Sequence, residues 1–449
     1  MEHRARERLL FDFNNLHRWL FYLLLLLIPT QLGYHFWPDF AFVNGIRVDY
    51  LAPTIYATDV LVAGILLSWL FLAVRKTHKI PHVNYGVSLV CISFFSLNIF
   101  FSLHPILAFI QTLTILKLVF LIFYIMRTKP PITTSGYFLL AGLMYSCFIA
   151  WMQFSVQSSL GGIWWFLGER TFDVATPGIA TVIINNRLLL RPYATFPHPN
   201  VLAGFITALL PLIWYNTSPM MKKIKLPLLI FFLATLFITF SRSAWIVAGI
   251  ILLAIPLIRR PREIINKSNR LVLLALAALL VGLSPFLFER VTNLSSVDFQ
   301  SVSRRIDLNY AALNMIKDNP VFGVGLNNFL VSLPNYITIN SYQDLQPAHN
   351  IYLLFLAEWG IAGAATILLL VVNSWPTIRD KIPARNASHS DAGGRNTKYG
   401  ILLSVTILLL LGLFDHYPYT IHQMQLLTAI SIGFILTGRT RLITSHETH

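Results

Sequence analysis

The stretch PAHNIYLLFLAEWGIAG, residues 347–363, opens as a polar turn and within a few residues reads as an apolar helix. Blocks of the same kind recur on both sides of it. Of the 449 residues 55% are hydrophobic and only 12% charged, and the mean hydropathy is +0.64. Apolar runs of roughly 16–23 residues in such a chain indicate a polytopic membrane protein rather than a large soluble core. The first block, 19–34, has no small-residue cleavage site behind it and many blocks after it, so it reads as a retained helix. About twelve spans are expected, near 19–34, 55–74, 84–101, 106–126, 136–157, 199–216, 226–240, 243–258, 270–288, 350–372, 399–414 and 422–438. The seventh and eighth are short and nearly contiguous, which predicts a tight helical hairpin.

The net charge of +15 and a pI near 9.9 do not point to nucleic acid, because the basic residues lie in short linkers and not along one face. Most of them fall in the N-terminal tail (Arg4, Arg6, Arg8, Arg18), in every second linker and in the C-terminal tail. The positive-inside rule then places both termini in the cytoplasm. The expected organisation is a single polytopic all-α membrane domain, 1–449, with extracytoplasmic loops at 158–198 and 289–349 and a flexible Ser/Gly/Asn-rich cytoplasmic linker at 373–398. Cys91 and Cys147 both lie inside apolar blocks and read as buried thiols, not as a disulfide or metal site.

Arg191, Arg242, Arg304, Arg305 and His349 collect at the outer ends of spans, on the side from which arginine is depleted. Arg191 precedes a Pro-rich turn in RLLLRPYATFPHPNVLAGF (187–205), where His198 and Asn200 lead into the sixth span. Arg242 forms the reversal in FITFSRSAWIV (237–247). Arg304 and Arg305 open an amphipathic helix whose expected apolar face is Ile306, Leu308, Ala312, Leu313 and Ile316. Forked, permanently charged guanidinium groups near a bilayer surface suit a lipid-linked diphosphate. The ordinary alternative is that each pairs with a carboxylate such as Glu169, Asp173, Asp298 or Asp307, or reaches to lipid headgroups.

His349 follows Pro347 at a helix start, where free amide groups and the positive helix end disfavour added charge and favour a neutral ring able to accept a proton. Such a ring is a competent general base, or a helix anchor at the interface. Gly360, Gly363 and Ala364 offer a small face for close helix approach. Gly323-Val324-Gly325 lacks the third glycine and preceding strand of a dinucleotide site, and no GxxxxGK[ST] occurs, so no nucleotide is expected. His198, His349 and His416 have no regular spacing and no Cys or Glu companion, so no metal is expected either. Lys117 is the charge read as lying deep within a span.

His349-Asn350, nine residues, Gly360, two residues and Gly363 match H-[NSQ]-x9-G-x2-[GTY], and on this pattern the chain resembles the O-antigen ligase and O-antigen polymerase superfamily. TFSRSAW around Arg242 resembles that family's arginine turn, and SRRIDLNYAALNMIKDNPVFGVGLNNF (303–329) its large extracytoplasmic loop, with Arg305 at the loop arginine. The resemblance covers most of 180–440; the first 180 residues match only as hydrophobic spans. It implies a C-type membrane glycosyltransferase (GT-C-like) fold in the bacterial inner membrane. The implied reaction is an inverting, metal-independent transfer of a glycan from undecaprenyl diphosphate to an acceptor hydroxyl such as lipid A-core. In that reading Arg242 and Arg305, with Arg191 and Arg304, hold the diphosphate, and His349 activates the acceptor. Asn350, His198, Asn200, Asp415 and His416 are supporting candidates, the last two from LFDHYPYTIHQMQLL (413–427), where a structural cap is the first expectation. Polymerases and protein O-oligosaccharyltransferases share the signature, so they remain alternatives for the acceptor. A flippase for lipid-linked sugars is the alternative from another class.

Overall fold

The computed structural model describes residues 15–75, 85–184, 187–216, 218–258, 296–379 and 392–437. Helices dominate: α1 Leu16–Leu27, α2 Ala57–Arg75, α3 Tyr85–Phe101, α4 Pro105–Thr128, α5 Ile132–Val156, α6 Pro199–Tyr215, α7 Pro219–Ile238, α8 Arg242–Ile258, α9 Ser296–Asp318, α10 Ile351–Arg379, α11 Ala392–Leu411 and α12 His422–Leu436. Every expected span coincides with one of these except 270–288, which lies outside the described residues. Among the described residues α2, α4, α5 and α10 are long and apolar enough to cross a membrane. At 1.5 Å per residue α4 is about 36 Å long, more than a hydrocarbon core needs. Leu67, Leu70, Phe71, Val74 and Phe100 point outward from α2 and α3, an apolar surface suited to lipid and not to water.

Several expectations are corrected. The first helix ends at Leu27, not at 34: Pro29 has no backbone N–H with which to continue the helical ladder, and the chain runs on into extended structure. The all-α reading needs three small antiparallel pairs added: β1 Gly33–His35 with β4 Thr54–Tyr56, β2 Phe42–Val43 with β3 Ile46–Arg47, and β5 Thr181–Ile184 with β6 Arg187–Leu190. Helices α10 and α11 extend into both ends of the expected 373–398 linker, whose residues 380–391 lie outside the described ones. Lys117 is not the sole charge within the helices, since Glu358 lies buried in α10, where it accepts a 2.8 Å hydrogen bond from the Tyr419 hydroxyl. Lys117 itself pairs with Asp59 at 2.6 Å. Cys147 is buried but Cys91 only half so, and both are free thiols.

Two apolar cores position the site. The larger surrounds α6, in which every residue except Asn200 is buried, as expected of a helix that is apolar on all sides; α6 packs on α11, α7 and α8. The smaller joins Val43, Val48 and Leu51 of the β2–β3 region to Leu308, Ala312 and Met315 of α9 and to Phe329 and Leu333. The buried face of α9 is therefore Leu308, Ala311, Ala312 and Met315, while Ile306 and Leu313 of the expected face point outward.

The loop between α9 and α10 is fixed by special backbone. Gly323 (φ 68°), Gly325 (φ 103°) and Asn327 (φ 57°) adopt left-handed conformations, so the GVG motif is a loop. The buried Asn98 of α3 accepts from Leu326 N (2.9 Å) and donates to the Phe322 and Glu358 carbonyls. Gly360 has φ 63° and ψ −170° and breaks α10. Ile361 N and Ala362 N turn out to the Pro320 and Val321 carbonyls, each at 2.9 Å. Gly360 thus admits a loop backbone where close helix approach was expected; Gly363 does sit against the Phe94 ring of α3.

Candidate functional site

The N-terminus of α10 meets the C-terminus of α11 through one backbone bond, Ile351 N to Gly412 O at 2.8 Å. His349, two residues before it, is thereby set beside Asp415, three residues after: Nδ1 lies 3.1 Å from Asp415 Oδ1, and Nε2 lies 3.2 Å from Gln346 Oε1. Asn350 faces elsewhere, capping α10 by accepting from Tyr352 N and Leu353 N.

The far oxygen of Asp415 leads to α6. Asn200 donates to Asp415 Oδ2 (3.1 Å) and accepts from Arg191 Nη2 (2.6 Å), and Arg191 Nε donates to the Thr239 carbonyl (2.8 Å). The C-terminal end of α5 holds this buried arginine in register: Gln157 Oε1 accepts from Leu190 N, and Gln153 Oε1 from Tyr193 N and Ala194 N. His198 caps α6 by accepting from Asn200 N.

Arg304 and Arg305 come from α9. Arg304 is tied to Asp344 (3.1 Å) and Gln343 (3.0 Å), whereas Arg305 donates to the Phe414 carbonyl at 3.3 Å. With Arg191, His198, Asn200, His349, Asp415 and His416 they line one cavity of about 280 Å³. Arg242 is outside that lining; it opens α8 three residues beyond Thr239, after a turn in which Phe240 takes φ 53°. Pattern reading missed Gln346, which sits just ahead of the quoted stretch. It also missed Tyr50, which lines the cavity edge-on to the His416 ring at 5.4 Å and carries no local signal.

The charges are strongly conditioned. Burial alone would raise the Asp415 carboxyl, but His349, His416 and Arg305 together hold it well below the usual carboxylate range. Burial pushes His198 down to about 3, with Arg191 adding to the effect. Burial likewise pushes His416 down to about 3 against the opposing pull of Asp415, and it raises the Tyr50 phenol, helped by Asp415. The centre therefore holds an ionised carboxylate together with neutral His198 and His416 rings, and three guanidinium groups on the wall. One ligand atom each from His349, Asp415 and His416 lies within 4.8 Å of the others, a set that suits a divalent ion in composition. Asp415 Oδ1 already accepts from His416 N and His416 Nδ1 is hydrogen-bonded to Thr420, while His416 Nε2 lies 3.8 Å from Asp415 Oδ1.

Residues 227–368 match the sequence model of a family described as O-antigen ligase, just under a third of the chain. No curated protein matches it. The matched segment includes Arg242, Arg304, Arg305, His349 and Gly360, so the superfamily resemblance holds for the part carrying the histidine signature and the loop; Arg191, Asn200 and Asp415 lie outside it. Over that segment the chain is similar to O-antigen ligases, and four of its described helices are long and apolar enough to cross a membrane.

Proposed function

We propose, with the O-antigen ligase match over 227–368 as premise, that this protein is a GT-C-like membrane glycosyltransferase of about twelve spans. It moves a glycan from undecaprenyl diphosphate to an acceptor hydroxyl at the extracytoplasmic face of the inner membrane, with a lipid A-core sugar as acceptor and both termini cytoplasmic. The observation that carries this reading is the His349–Asp415 pair on the wall of a cavity that also presents Arg191, Arg304 and Arg305.

The chemistry follows from those groups. The bond from the anomeric carbon to the diphosphate oxygen breaks, and charge collects on the diphosphate, where Arg305 and its neighbours stabilise it. Arg242, three residues after the Thr239 whose carbonyl holds Arg191, serves the donor from the adjoining turn. The acceptor oxygen attacks the opposite face of the anomeric carbon and gives its proton to His349, so the anomeric configuration inverts. Both ring nitrogens of His349 face oxygen atoms, Asp415 Oδ1 and Gln346 Oε1, so the ring can donate to both once it carries that proton. Asp415 is a positioning residue that stabilises the charged ring. The arginines supply the positive charge that a metal supplies elsewhere, and the diphosphate is already an activated leaving group, so neither metal nor nucleotide is needed.

The test is transfer by purified protein with undecaprenyl diphosphate-linked glycan, chelator present and nucleotide absent. Lipid A-core, a second donor molecule and a protein are offered separately. Product on lipid A-core supports the ligase. Product on a second donor or on protein keeps the chemistry and moves the acceptor to the polymerase or protein-glycosylating type. No transfer, with donor crossing liposome membranes, overturns the reading in favour of a carrier.

A further inference from the structure

A second, larger cavity of about 980 Å³ adjoins the arginine-walled one, and Tyr50, Pro197 and Ile421 line both. Its size is at the upper end of the ~300–1,000 Å³ typical of small-molecule sites, room for several rings. Its walls come mainly from the β1–β4 region, α4, the turn after Gly168 and the first turn of α12, outside the matched family segment, with Asn327 contributed from within it.

The lining combines ring faces with fixed polar groups. Tyr56 and His422 lie stacked with centroids 4.3 Å apart; Trp165 is 55% exposed. Gln111 and the Lys117–Asp59 ion pair contribute polar atoms. Gln423 is 2% exposed, and its amide nitrogen is buried without a hydrogen-bond partner among the described residues. A buried amide left unpaired is unfavourable, and the Gln423 side chain borders the cavity. Flat aromatic faces beside carboxamides suit sugar rings, whose C–H faces pack on aromatics while their hydroxyls exchange hydrogen bonds. An extended peptide would instead call for an open sheet edge or groove.

We propose that this cavity holds the sugar rings of the acceptor, so that acceptor choice is set largely by residues outside the family segment. The inference rests on the glycosyl-transfer reading. The seam explains why the occupant is the acceptor: Tyr50 is edge-on to His416, and the His416 ring lies 5.0 Å from that of His349. A hydroxyl presented across the seam reaches the proposed base, while the diphosphate occupies the smaller cavity, where Arg191, Arg304 and Arg305 converge against the single Arg170 of the larger one.

The experiment measures binding of two probes to the purified full-length protein, deacylated lipid A-core oligosaccharide and undecaprenyl diphosphate. Gln111→Leu and Gln423→Leu are near-isosteric, and Trp165→Ala is a third variant at an exposed side chain in case either fails to fold. Each folded variant is expected to raise the oligosaccharide Kd about tenfold and to leave undecaprenyl diphosphate binding within twofold of the parent. Arg305→Ala is expected to show the reverse pattern. Unchanged oligosaccharide binding in every folded variant overturns the proposal, as does its absence in the parent. Loss of undecaprenyl diphosphate binding alone assigns the cavity to the donor and also overturns it. Should the oligosaccharide respond as expected while the parent transfers nothing, the glycosyltransferase reading fails, and with it the acceptor role, and the cavity stands only as an oligosaccharide-binding site.

Discussion

His349 Nδ1 lies 3.1 Å from Asp415 Oδ1, although the two residues are 66 positions apart in the chain. The contact is made where two helix ends are tied by one backbone hydrogen bond, and it sets which ring nitrogen faces the cavity. Asp415→Asn keeps the shape but can present an amide to Nδ1, favouring the wrong tautomer and withdrawing the stabilising charge. Transfer is expected to fall by about 100-fold or more, with undecaprenyl diphosphate binding within a few fold; steady-state assays with both substrates varied check this.

Arg304 and Arg305 are adjacent yet held differently. Arg304 spends its donors on Asp344 and Gln343, while Arg305 touches the Phe414 carbonyl. Arg305→Ala is expected to raise the donor KM by roughly 10- to 100-fold, the worth of a charge-assisted hydrogen bond of about 1.5–3 kcal/mol. Arg304→Ala is expected to change stability by less than about 1 kcal/mol, because its ion pair is partly solvated, and to have the smaller effect on donor KM.

Gly360→Ala tests the break in α10. With φ 63° and ψ −170° the position is nearly closed to side chains, and an added Cβ would run into the backbone of Val321 and Gly323. A loss of at least ~2 kcal/mol is expected, seen as a lowered Tm in detergent, with Gly363→Ala milder because its neighbours there are side chains.

The buried cap His198 makes stability pH-dependent. Its folded-state value of about 3 lies below the ordinary 6.5, so between these values the unfolded chain binds a proton that the native state does not. Stability is thus lost as pH falls below 6.5. His198→Asn keeps a good N-cap and removes that titration. From pH 7 to pH 5 the parent is expected to lose about 2 kcal/mol more than the variant, measured by thermal unfolding at both pH values.

The long spans were legible because some twenty consecutive apolar residues permit little else. The β pairs at 33–56 and 181–190 were not, being two to four residues long and held by contacts rather than by pattern. Helix α9 has two apolar faces, and only packing shows that Leu308, Ala311, Ala312 and Met315 turn inward. Glu358 was passed over inside an apolar run, where Tyr419 supplies its partner from a distant turn. The residue types of the candidate site were visible, but the links between Arg191, Asn200, Asp415 and His349 cross four chain segments, and Tyr50 gave no signal at all.

The most direct measurement compares His349→Ala with the parent for transfer from undecaprenyl diphosphate-linked glycan to lipid A-core, donor binding being determined on the same samples. The account predicts transfer reduced by at least about 100-fold with donor affinity within twofold. A variant that keeps more than a tenth of parental turnover contradicts it, and so does one whose loss is explained by failure to bind donor.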